Sequence, residues 1–388
     1  MDASPRCAVS VRHRTGRSHS YVPGMPRPTL AAVLVAAASL IAPLHATGAT
    51  NAMNATEPVG TVRVRVTPPY GASPALVTAT FSPEEWRMVR ELQGTVDLLS
   101  DAGGTPRAAA FVRWHIEAVV TKSEILRAAR RSLTATQFMF ERSGIFEVQR
   151  TDIVVGRTQA FIDSTVRSLG CTPDLSRTRG VYLMGGSLCG NTIVTMDVTG
   201  LLFVVRPEQS VTAAMEAAPE PPMSTIRYQL VDRAIAVLSH EWAHSVRFVA
   251  AGSTQPPGEP VWFREGFAEW VALASRVRAF GPDMSYLDAH AIRLHLFSNW
   301  SSRCSTNLST YRLRGAVAGG CEYYLGLLAV ELLVVRYGGF ARMVNVYRQA
   351  ASGKPFAESF RAVYGISLAT FEAESSKYIS GVAAASLR

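Results

Sequence analysis

Apolar residues recur at Ile235, Leu238, Trp242, Val246 and Val249, in steps of three and four. That period predicts a helix over about 227–251, stopped by Gly252. A second apolar face, Val261, Phe263, Phe267, Trp270 and Val271, follows Pro260 and predicts another helix. Further helical patterns run over 286–300, 322–337 (closed by Gly338 and Gly339), 340–351, 355–363 and 367–380. The first half of the chain is more mixed. Residues 62–77 predict one or two short strands around a turn at Pro68-Pro69-Tyr70-Gly71, and Ser82 with Glu85 forms a capping box opening a helix over 83–100. Helices are then expected over 108–120, 123–142 and 159–169, and strands over 151–155, 181–184, 192–196 and 201–205. Residues 206–225, rich in Pro, Ala and Glu, read as a loop or flap. The expected fold is α+β, a small mixed sheet region followed by a helical lobe.

The first of these helices carries His240-Glu241-Trp242-Ala243-His244. Positions i and i+4 share a helix face, so both imidazoles can reach one metal ion with Glu241 beside them. Two imidazoles suit Zn²⁺, and a neighbouring carboxylate can take a proton from water. Chance alone would produce such a pattern in roughly one comparable chain in a hundred. A lone histidine on a buried helix is ordinarily a packing or surface residue; two at this spacing around a glutamate reverse that expectation. Catalytic zinc needs a third protein ligand. The extended HExxHxxGxxH pattern is absent, because Arg247 and Ala250 occupy its glycine and last histidine positions. A glutamate on the next helix is the other route, and twenty residues separate His244 from Glu265.

HEWAH followed by WFREGFAEW (262–270) resembles the gluzincin metallopeptidases, which include thermolysin and the aminopeptidase N type enzymes. The resemblance covers about 227–380 and implies a zincin-like fold. It makes His240, His244 and Glu265 the zinc ligands, Glu241 the general base, and Glu269 a carboxylate that orients a ligand histidine. Cys321-Glu322-Tyr323-Tyr324-Leu325-Gly326 resembles the Y-x-x-G helix start of the aminopeptidase branch, which puts Tyr323 at the oxyanion-stabilising position, with Tyr324 as the competitor. The resemblance further implies that an edge strand before the metal helix pairs with substrate, for which 201–205 is the candidate; an ordinary core strand is the other reading of that segment.

Departures from the pattern matter too. No G-x-M-E-N segment precedes the metal helix, which favours an endopeptidase over an aminopeptidase. The thermolysin-type catalytic histidine has no match; His290 and His295 are auxiliary candidates, with ordinary surface roles as the alternative. The implied function is zinc-dependent hydrolysis of a peptide or protein substrate. A non-catalytic binding protein on a zincin scaffold, and a zinc hydrolase acting on another amide or ester, are the alternatives.

Export fits that reading. Arg6, Arg12, Arg14, Arg17 and Arg27 precede an uncharged apolar run over 30–44, and Thr47-Gly48-Ala49 offers a cleavage end. The run is short of the about 20 residues a spanning helix needs, so cleavage is favoured over an uncleaved anchor, and Met25 is an alternative start. Four regions follow: a leader (1–49), an N-terminal α/β region (50–206), a linker or flap (207–226) and a zinc-binding catalytic lobe (227–388). The net charge of +9 drops to about +5 once five Arg and one Asp leave with the leader. With no basic block or aromatic-basic interleaving, nucleic acid is not an expected partner, and the membrane enters only through an uncleaved leader. Beyond Cys7, the cysteines are Cys171, Cys189, Cys304 and Cys321. The simplest of three pairings is Cys171–Cys189 with Cys304–Cys321. Each bridge is worth about 3 kcal/mol in an oxidising compartment.

Overall fold

The computed structural model describes residues 60–66, 75–100, 104–121, 124–171, 186–188, 193–197, 223–280, 285–298, 304–313 and 320–386. All lie within one compact unit, Asn54–Arg388. The expected leader, the strands expected at 181–184 and 201–205, and most of the expected flap fall outside the described residues.

Strands β1 (Gly60–Val66) and β2 (Ala75–Phe81) form an antiparallel pair in which Gly60 faces Phe81 and Val66 faces Ala75. Helix α1 (Pro83–Ser100) follows, opened by a reciprocal capping box. Ser82 N donates to Glu85 Oε2 at 3.3 Å, and Glu85 N donates to Ser82 Oγ at 3.2 Å, which satisfies two otherwise orphaned donors.

A second sheet joins β3 (Val112–Ile116), β4 (Thr151–Gly156), β5 (Gly186–Leu188) and β6 (Ile193–Asp197) in the order β3-β4-β6-β5. The first three neighbours are parallel and β5 is antiparallel. Helices α2 (Glu124–Arg142) and α3 (Gln159–Ser168) follow β3 and β4 respectively. The helix expected over 108–120 is not formed: a short 3-10 turn at Arg107–Phe111 leads into β3, and a second covers Ala118–Val120. The alanine run there suggests helix, but Val112, Trp114 and Ile116 carry strand-forming side chains and pair along β4. Tertiary pairing overrides the local preference.

The second half is helical: α4 (Met223–Ala250), α5 (Val261–Phe280), α6 (Tyr286–Ser298), α7 (Cys321–Arg336), α8 (Phe340–Ala350), α9 (Phe356–Tyr364) and α10 (Leu368–Ser386). The centre is α5, packed against α2, α4 and α7. Its Trp262, Phe263, Phe267, Trp270 and Val271 have no exposed surface. A helix that buries large apolar side chains against several neighbours belongs in the middle of a bundle. One continuous core runs from Phe81 to Ala383, so the sheet region and the helical lobe share an interior.

Three contacts fix the helices that matter for the site. The first is a chain of buried hydroxyls. Ser132 Oγ on α2 lies 2.8 Å from Ser239 Oγ on α4 and 3.2 Å from Ser275 Oγ on α5. Ser275 Oγ donates to the Ala272 carbonyl, so it accepts from Ser132, and Ser132 in turn accepts from Ser239. The second is a backbone-to-backbone crossing of α5 and α7. A Cβ on Gly266 would sit 2.3 Å from the Gly326 carbonyl, and one on Gly326 would sit 2.2 Å from the Trp262 carbonyl. Only glycine at both positions permits that approach. The third pins the α4–α5 connection: Arg247 Nη1 donates to both Glu259 oxygens, at 2.9 and 2.8 Å, in a buried pair. Arg247 sits in a helix that continues to Ala250, where the three-histidine pattern has its glycine.

The Cys304–Cys321 bridge is present, with Cα atoms 5.7 Å apart. It ties the start of α7 to the segment before it. Cys171 is also disulfide-bonded, and Cys189, its expected partner, lies outside the described residues. Among the described residues, no single helix is long and apolar enough to cross a membrane.

Candidate metal centre

Helix α4 presents His240 and His244 one turn apart, and α5 brings Glu265 against them from its second turn. His240 Nε2 and His244 Nε2 lie 3.1 Å apart. Glu265 Oε2 is 3.6 Å from the first and 3.2 Å from the second. Atoms each about 2.0–2.1 Å from one ion at tetrahedral angles are themselves about 3.3 Å apart. The three donors therefore have the separations that a small tetrahedral cation imposes, and the group could hold a metal ion.

The surroundings favour positive charge there. Burial works against protonating His240, but Glu265 and Glu269 overcome it and push its pKa up to about 10. Burial likewise opposes ionisation of Glu265, yet the imidazoles of His244 and His240 hold its carboxyl well below the usual range. A site whose carboxylates draw a proton onto His240 also suits a cation that displaces that proton.

Each ligand's other side is also engaged, with one exception. His240 Nδ1 is 3.1 Å from Glu269 Oε1, which assigns the proton to Nδ1 and turns the Nε2 lone pair toward the centre. Glu269 Oε2 is in turn 3.0 Å from Arg293 Nη2 on α6. Glu265 Oε1 accepts from Arg264 Nε at 2.9 Å. The exception is His244 Nδ1, which is buried and has no hydrogen-bond partner among the described residues.

Glu241 lies beside His240 and is nearly buried, at 9% exposure. Among the described residues it takes part in no hydrogen bond or salt bridge, unlike Glu265 and Glu269. Of the two tyrosines at the start of α7, Tyr323 faces the centre: its ring lies alongside that of His240, centroids 6.1 Å apart and planes 25° apart. Tyr324 instead lies under the Arg293 guanidinium, 6.0 Å from ring centroid to carbon. His240, His244, Glu265, Glu269 and Tyr323 thus come together, with Glu241 next to His240 in the chain.

His290 does not join them. It is fully buried elsewhere, its Nε2 2.9 Å from Glu85 Oε1 and its Nδ1 2.9 Å from Glu331 Oε1, with Tyr286 Oη also donating to Glu331 at 2.7 Å. His290 therefore ties α1, α6 and α7 together, and its auxiliary role at the centre is withdrawn. The side chain of His295 lies outside the described residues.

Two site residues carry no sequence signal. Arg264 is adjacent to Glu265, and neighbours i and i+1 do not ordinarily face each other on a helix. Arg293 is on a different helix from the carboxylate it holds. The edge-strand candidate 201–205 is outside the described residues, whereas β5 is the antiparallel edge of the described sheet and packs near α4. Compared with known protein families, with curated proteins and with solved structures, the chain gives no match.

Proposed function

We propose that this chain is an exported zinc-dependent peptidase of the gluzincin type, acting within peptides rather than at a free amino terminus. The observation that carries the reading is the convergence of His240, His244 and Glu265 at tetrahedral separations, with Glu241 alongside. Two imidazole nitrogens and one carboxylate oxygen suit zinc better than Mg²⁺ or Ca²⁺, which take oxygen ligands in larger numbers. Bound there, zinc would supply Lewis acidity toward water and the scissile carbonyl.

The remaining work falls to the chain. Glu241, free of other hydrogen bonds among the described residues, accepts the proton of the attacking water and returns it to the leaving amine. Tyr323, beside His240, donates its phenol proton toward the oxyanion. Glu269 keeps His240 in the tautomer that offers Nε2 to the metal. Strand β5, the edge of the sheet among the described residues, would offer main-chain hydrogen bonds to an extended peptide.

The test is zinc content together with cleavage of a diverse peptide library, with and without a chelator. Glu241→Gln should keep its zinc and lose turnover. Undiminished chelator-sensitive cleavage by that variant would sink the reading. Zinc binding by a wild type that cleaves no peptide would redirect it to a non-peptide substrate or a binding role.

A further inference from the structure

A carboxylate can bind a metal through one oxygen or both, and here the choice is built into the helix. We propose that Arg264 is a positioning residue that restricts Glu265 to one-oxygen ligation and so keeps a coordination position open for water; this rests on the metal reading above. Glu265 Oε2 is the oxygen aimed at the histidines, 3.2 and 3.6 Å from their Nε2 atoms. Its other oxygen is occupied by Arg264 Nε at 2.9 Å.

Both side chains are enclosed, at 13% and 8% exposure, so the pair is not a solvated surface contact. The nearby Glu259 carboxylate adds to the electrostatic hold on the Arg264 guanidinium. A planar guanidinium offering Nε–H along a fixed direction engages one oxygen in a way an ammonium cannot reproduce.

The chemical consequence is specific. Two imidazoles and both oxygens of one carboxylate already make four donors, so water could then bind only as a fifth ligand. Held by Arg264, Glu265 contributes one donor and the fourth position stays open. The same device recurs one turn on, where Arg293 holds Glu269 Oε2 and leaves Oε1 to His240. Of the three carboxylates around the centre, the two with arginine partners are fixed, and Glu241 is left to move a proton.

Cobalt(II) reports coordination number directly, because four-coordinate cobalt absorbs far more strongly in the visible than five-coordinate cobalt. Wild-type protein titrated with Co²⁺ alone should show the intense four-coordinate band. Arg264→Met, folded by far-UV circular dichroism and carrying one cobalt per chain, should lose that band as Oε1 swings onto the metal. Arg264→Lys should restore it only in part. An unchanged band in Arg264→Met overturns the assignment while leaving the metal reading intact. A wild type that binds no cobalt, or binds it equally after His244→Ala, overturns the metal reading and this one with it. Should Arg264→Met fail to fold, a crystal structure of the zinc-loaded wild type decides. One Glu265 oxygen at about 2.0–2.2 Å with the other on Arg264 supports the proposal, and two oxygens on zinc overturn it.

Discussion

At His240 one ring nitrogen meets Glu269 and the other meets Glu265 and His244, so a single side chain joins the candidate metal-binding group to the charges behind it. That makes Glu269 testable apart from any substrate. Glu269→Gln keeps the size and one acceptor oxygen but removes the charge that pairs with Arg293. Metal affinity should fall by about 10–100-fold, read by competition with a chromophoric chelator, while the unfolding midpoint stays near wild type. An unaltered affinity would reduce Glu269 to a packing carboxylate. The two histidines were legible from spacing, because period and ligand chemistry act over a few residues, whereas Glu265, twenty residues on, was legible only through the resemblance of WFREGFAEW. Which of Tyr323 and Tyr324 faces the centre was not, since adjacent helix positions differ only in rotation about the axis, and that rotation is set by packing against α5.

Between elements, the glycine crossing sets the distances. Gly266 follows Glu265, and Gly326 lies three residues after Tyr323, so this contact joins the helix that carries Glu265 to the helix that carries Tyr323. Gly266→Ala drives a methyl into backbone atoms that cannot rotate away. Destabilisation should reach the upper end of the about 1–3 kcal/mol typical of overpacking, or exceed it, measured by urea unfolding. A neutral result would mean that the helices separate at little cost.

A second inter-element contact is sensitive to pH. Burial opposes a charge on His290, but Glu331 and Glu85 push its pKa up to about 10 from the ordinary 6.5 or so, with the phenols of Tyr286 and Tyr378 near the same carboxylates. A base whose pKa rises on folding stabilises fully below its unfolded value. That stabilisation therefore declines above about pH 6.5 and is gone above about pH 10. The difference in unfolding midpoint between wild type and His290→Gln should narrow as pH rises from 7 to 10. A constant difference would mean that His290 is neutral in the fold. The sequence offered His290 as an auxiliary donor or a surface residue and not as a buried link, because its partners Glu85 and Glu331 lie 205 and 41 residues away in the chain.

Across the whole molecule, helix boundaries agree closely with those expected from periodicity, and the capping box at Ser82 appears as drawn. The strand β3 does not, since its state is decided by a parallel neighbour nearly forty residues on. Covalent restraint also acts at this scale. Reducing Cys304–Cys321, 17 residues apart, should lower stability by about 3 kcal/mol through the loop it closes, seen as a fall in Tm with reductant. A Cys304→Ser/Cys321→Ser double variant with wild-type Tm would contradict this.

The crossing of Gly266 and Gly326 has a bearing on motion. Backbones in contact slide or hinge poorly, and the buried serines and the Arg247–Glu259 pair join α4 and α2 to the same block. His240, Glu241, His244, Glu265 and Tyr323 then travel as one rigid body. On the function proposed above, breathing that admits or releases a substrate would have to come from parts of the molecule outside these helices.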